Sequence, residues 1–153
     1  VPAVVSLGHI ENLEKAKNAF ARKAAGSQSR LPWERLFFND TFGNPLPMEQ
    51  AAGWAEALEM VRLGPSASNK QPWRIVKKAD AWHFYLRRTK GYGTGFLFKL
   101  LKIADIQRLD MGIAMCHFEL TARQLGLLGG WKVEDPGIEK PDELTEYTVS
   151  WKA

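Results

Sequence analysis

The chain has 153 residues, 45% of them hydrophobic and 25% charged, with a net charge of +4. That is enough for a single domain over residues 1–153, and six tryptophans with eight phenylalanines give it apolar area that disordered chains lack. The basic residues are scattered in short pairs such as Lys77-Lys78 and Arg87-Arg88, so the pI of about 9.3 describes a solvated surface and argues against a nucleic-acid partner. No apolar run approaches the roughly 20 residues of a membrane span, so no membrane partner is expected. One cysteine, Cys116, excludes an internal disulfide and fits a reducing, cytoplasmic setting.

In chain order, residues 1–8 read as extended. Residues 11–25 carry helical spacing at Leu13, Ala16, Phe20 and Ala24, and Gly26 is a stop. Residues 27–47 are a loop rich in proline and glycine, with Trp33, Leu36, Phe37 and Phe38 as an apolar knot. Residues 48–62 form a helix on Ala51, Trp54, Ala55, Leu58 and Val61, ended by Gly64-Pro65. After a polar loop, two alternating runs (Trp73 and Ile75, then Trp82, Phe84 and Leu86) flank Lys77-Lys78-Ala79-Asp80 as an antiparallel hairpin. Residues 89–96 are a glycine-rich connector.

Residues 97–126 are largely helical, with two apolar stripes. One is Ile106, Leu109, Ile113, Cys116 and Leu120. The other is Met111, Ala114, Phe118, Ala122 and Leu125. A helix apolar on two sides is expected to be buried on two sides, between its own sheet and a partner. On that reading Leu120 and Cys116 are core residues. Gly129-Gly130 opens a strand at Trp131 and Val133, and Tyr147, Val149 and Trp151 alternate as a closing strand.

The polar loop carries the most information. Pro65-Ser66-Ala67-Ser68-Asn69-Lys70-Gln71-Pro72-Trp73-Arg74 joins a helix to a strand. Its bracketing prolines predict a stiff, extended backbone. A flat loop of this kind offers amides and hydroxyls to a planar polar ring. As composition alone it reads better as a turn whose Ser and Asn side chains satisfy backbone groups. The run from Arg62 to Arg74 resembles the Pro-Ser-x-x-Asn-x-Gln-Pro-Trp loop of the nitroreductases, which are FMN-dependent NAD(P)H oxidoreductases. Asp110-Met111-Gly112-Ile113-Ala114, Glu119-Leu120-Thr121-Ala122 and Leu125-Gly126-Leu127 resemble that family's central helix.

The resemblance implies an α+β half-unit, an antiparallel sheet packed on a long buried central helix. It also implies that two half-units pair with FMN at the seam. Carried over, Pro65, Ser66, Ala67, Ser68 and Asn69 line the flavin ring, with Gln71 close by. Asn69 is either a donor to the ring edge or an anchor of the loop. The family's phosphate-holding Arg-Arg-Ser-x-Arg motif does not occur in this sequence. Val1-Pro2-Ala3-Val4-Val5-Ser6-Leu7-Gly8 resembles the junction of a branch that fuses two half-units. The chain is therefore expected to be the C-terminal half, its partner being an N-terminal half-unit or a pseudo-dimer mate.

No residue is singled out as catalytic, and no metal site is expected. Gly91-Tyr92-Gly93-Thr94-Gly95-Phe96 lacks the third glycine of a dinucleotide loop. Cys116 and His117 are adjacent on a helix and diverge. His83 has no partner motif. The expected activity is hydride transfer from NAD(P)H through FMN to a small-molecule acceptor, a nitroaromatic, a quinone or similar. The rival is a cofactor-less half-unit that serves as a pairing or binding module.

Overall fold

A computed structural model describes residues 26, 29–91 and 105–153. The expected extended segment 1–8, the helix 11–25 and most of the connector 89–96 lie outside the described residues.

The hairpin forms as the alternation requires. β2 (Trp73–Lys78) and β3 (Ala81–Arg87) pair antiparallel from Trp73 opposite Leu86 to Lys78 opposite Ala81. β5 (Thr145–Lys152) adds antiparallel to β3, and β4 (Gly130–Lys132) to β5. One edge departs from an all-antiparallel sheet. The apolar knot holds a 3₁₀ turn, Trp33–Arg35, and then a three-residue strand, β1 (Phe37–Asn39), that pairs parallel with β2. The sheet is therefore mixed, in the order β1-β2-β3-β5-β4. With the two α-helices among the described residues it makes an α+β fold.

The helix expected over residues 48–62 is broken. Met48–Trp54 is 3₁₀-like, with Ala52 at φ 47°, and the regular part, α1, is Ala55–Leu63. Gly53 is a poor helix former at this point. The break leaves Ala51 buried and Trp54 stacked on Phe118, ring centroids 5.4 Å apart. Gly64 and Pro65 end α1 as expected, with Gly64 N–H donating to the Val61 carbonyl.

The long helix, α2, is Ile106–Gln124, opened by Asp105, whose side chain accepts from Arg108 N–H. Residues 97–104 lie outside the described residues. Met111, Ala114, Phe118 and Ala122 are buried against the sheet. Phe118 is the hub of an aromatic cluster with Trp54, Trp82, Phe84, Trp131 and Trp151. Leu125 departs from the expected stripe, because it caps the helix and is exposed.

The other stripe is not buried in this chain. Leu120 is 63% exposed, Leu109 is 50% exposed, and Ile106 and Cys116 are exposed as well. In this chain alone Leu120 and Cys116 are not core residues, for a simple reason. The sheet and α1 pack on other sides of α2, and no described element covers the side that carries Ile106, Leu109, Cys116 and Leu120. Among the described residues no helix is long and apolar enough to cross a membrane.

At the sheet's far edge, Gly129 has φ 149°, and a Cβ there would lie 2.2 Å from Trp151 Nε1 and 2.5 Å from the Lys152 carbonyl. Only glycine lets β4 enter this close to β5. The opposite face of the sheet carries a smaller apolar group of Val76, Tyr85 and Ile138, with Phe38, Phe42 and Tyr147 packed on it.

Candidate functional site

The loop between α1 and β2 is folded, not extended. Ala67–Asn69 make a 3₁₀ turn, closed by Asn69 N–H to the Ser66 carbonyl and Lys70 N–H to the Ala67 carbonyl. Ser68, Asn69 and Gln71 have positive φ, at 50°, 53° and 47°. Two prolines stiffen the ends, but they do not dictate the backbone between them. Three non-glycine residues in the left-handed region are costly, and the surrounding bonds must hold them there.

Those bonds account for most of the predicted site residues. The Ser66 hydroxyl accepts from Gln71 N–H at 2.8 Å. The Asn69 amide nitrogen donates to the carbonyls of Gly26 at 2.7 Å and Ser29 at 3.0 Å. Its amide oxygen accepts from Gln71 Nε2 at 3.2 Å. Gln71 is buried, and its Oε1 accepts from Leu31 N–H at 2.7 Å. Asn69 and Gln71 thus staple Gly26, Ser29 and Leu31 to the loop. Both donated bonds of the Asn69 amide are made within the chain. Pro65 and Ser68 are exposed, while Ser66 and Ala67 are half-buried. The Ser68 side chain has no hydrogen-bond partner among the described residues.

Two contributors were not legible beforehand. Arg30 donates through Nε and Nη2 to the Leu63 carbonyl at 3.1 Å each, clamping the end of α1. Asp110, on the second turn of α2, accepts from Ala67 N–H through Oδ1 at 3.0 Å. The central helix therefore pins the middle of the loop directly. Asp110 is 2% exposed, and its Oδ2 is buried without a partner among the described residues. The signal for it was a charged residue at helical spacing with Ala114 and Phe118, on the buried face.

Burial holds the Asp110 carboxyl above its ordinary range, and the Ala67 N–H offsets part of that. A raised folded-state pKa means that the protonated form favours the fold. That stability is complete below the unfolded pKa and is lost as pH rises through the folded one. Asp110→Asn keeps an acceptor for Ala67 N–H and removes the buried charge. Thermal melts from about pH 3 to about pH 7 should show the variant near the wild type at the acid end. It should be the more stable protein at the neutral end. A gap that stays constant or opens the other way would show that the charge is not the cost.

Arg87 and Arg88 do not stand free as a phosphate clamp. Arg87 pairs with Asp142 at 3.0 Å, and Arg88 pairs with Asp105 at 2.9 Å and with Glu146. His83 Nδ1 lies 2.7 Å from the Ser150 hydroxyl in the sheet. His117 Nδ1 lies 3.1 Å from the Met60 carbonyl.

A family described as "Putative TM nitroreductase" matches residues 46–122, half of the chain. No curated protein matches the chain, and no solved structure does. The matched span runs from the broken first helix through the loop and hairpin to Ala122 on the face of α2 that holds Asp110. The chain belongs to this nitroreductase-like family.

Proposed function

We propose that the chain is the ring-contacting half of an FMN-dependent oxidoreductase. It would use NAD(P)H to reduce a nitroaromatic, quinone or similar acceptor. Family membership supports the oxidoreductase class. The observation that carries the finer reading is the bond from Ala67 N–H to Asp110. It fixes a loop that exposes Pro65, Ser68 and Lys70 to the long helix that carries the buried Phe118.

The residues present fit the ring. Pro65 offers an apolar edge, and the Ser66 and Ser68 hydroxyls have protons to donate to a polar one. Bound FMN would supply hydride acceptance and donation, which no side chain here can perform. The chain's own part is to position: Asp110 holds Ala67, and Asn69 and Gln71 hold the loop against Gly26, Ser29 and Leu31. They do not fit the phosphate, whose arginine motif the sequence lacks. A charge-assisted grip of that kind has to come from a partner half-unit. The exposed stripe of Ile106, Leu109 and Leu120 is the surface offered to that partner. A reducing, cytoplasmic setting accords with an exposed free thiol at Cys116.

One observation favours the rival module without cofactor. Asn69 and Gln71 already spend their amides inside the protein. Flavin fluorescence titration separates the two readings. The chain alone should bind FMN weakly. Mixed with a separately made N-terminal half that carries the arginine motif, it should bind FMN stoichiometrically and gain NAD(P)H-dependent reduction. A pair that associates yet leaves FMN free would establish the binding module instead.

A further inference from the structure

On the sheet face opposite α2, three arginines line one cavity of about 230 Å³. Arg74 and Arg87 come from neighbouring strands β2 and β3, and Arg35 from the 3₁₀ turn before β1. Phe38 and Phe42 form an apolar wall, their ring centroids 5.5 Å apart. Arg74 is 7% exposed, and among the described residues its guanidinium bonds only through Nη1, to the Gln71 and Trp73 carbonyls at 3.0 and 2.6 Å. Among the described residues neither Arg74 nor Arg35 has a carboxylate partner.

A buried cation beside two like charges is costly unless something neutralises it. Desolvation, with Arg87 and Arg35 nearby, pulls the Arg74 guanidinium down to about 10. A side chain that served packing alone would not need that charge. Arg87 is neutralised by Asp142, and Glu34 also lines the cavity. One positive charge is left over, on a fork-shaped donor beside aromatic rings.

We propose that this cavity binds a small organic carboxylate with a flat apolar body. The carboxylate lies against the guanidinium groups of Arg74 and Arg35, and the body lies on Phe38 and Phe42. A guanidinium matches a carboxylate two bonds at a time. The single surplus charge favours a monoanion over a phosphate dianion. The site is independent of the flavin reading, because it needs neither cofactor nor partner half-unit.

Benzoate is the probe, titrated into the chain by calorimetry and by amide chemical shifts. Saturable one-to-one binding is expected, with shifts centred on Arg35, Phe38, Phe42 and Arg74. Arg35 and Glu34 are both exposed, so their variants should fold. Arg35→Gln should weaken benzoate about tenfold, the loss of a charge-assisted bond. Glu34→Gln should tighten it by about two- to fivefold by removing a like charge. Inorganic phosphate that binds as tightly as benzoate would overturn the carboxylate assignment. Absent saturation, or two variants that leave the affinity unchanged, would overturn the site.

Discussion

Phe118→Ala should destabilise the chain by about 3–5 kcal/mol in chemical denaturation, the loss expected for a large buried aromatic. Phe118 is fully buried and touches rings from α1's approach, from β3, and from β4 and β5. Collapse around the missing ring is hard, because its neighbours are rigid indoles held by separate strands. If that variant does not fold, Phe118→Leu should still fold and lose about 1–1.5 kcal/mol. Leu120→Ala, two residues on, should change stability by less than about 0.5 kcal/mol, since the side chain lies mostly in solvent. Equal losses at the two positions would mean that the helix packs in another rotation. If a partner half covers the exposed stripe, Leu120→Ala should weaken pairing far more than folding.

That contrast marks the boundary of what periodicity can say. Spacing located the stripes of α2 except at Leu125, because apolar residues at i, i+3 and i+4 must share a face. It could not say which stripe the chain's own sheet covers, since both are equally apolar. The hairpin was legible because Trp73 and Ile75, and Trp82, Phe84 and Leu86, alternate over enough residues to fix the register. β1 was hidden because Phe37–Asn39 is too short to display alternation. The break at Ala52 was hidden because Ala51, Trp54 and Leu58 keep helical spacing on both sides of it.

The loop was recognisable as a site candidate but not as a shape. Positive φ is normally announced by glycine, and Ser68, Asn69 and Gln71 give no such notice. Its conformation is enforced from a distance, by Asp110 from α2 and by Gly26, Ser29 and Leu31. Long-range bonds of this kind leave only faint traces in a sequence. A buried carboxylate on an apolar face was one of them.

Asn69→Ala should therefore act first on the loop's own stability. It removes two donated bonds, leaves the Gly26 and Ser29 carbonyls without that donor, and puts alanine at φ 53°. The lost bonds should cost about 1–3 kcal/mol. The left-handed backbone should add about 1–2 kcal/mol, because asparagine tolerates that region and alanine does not. Asn69→Gly separates the two effects, since it loses the bonds and keeps the backbone at ease. It should fall between wild type and Asn69→Ala in denaturation. Lys70→Ala, next in sequence and exposed, should be neutral within about 0.5 kcal/mol. Amide exchange at Leu31, whose N–H is held by Gln71, should quicken in Asn69→Ala and Asn69→Gly and not in Lys70→Ala. Were Lys70→Ala to loosen Leu31 most, the staple between the loop and Gly26, Ser29 and Leu31 would not be Asn69, and the loop would owe its shape to Asp110 alone.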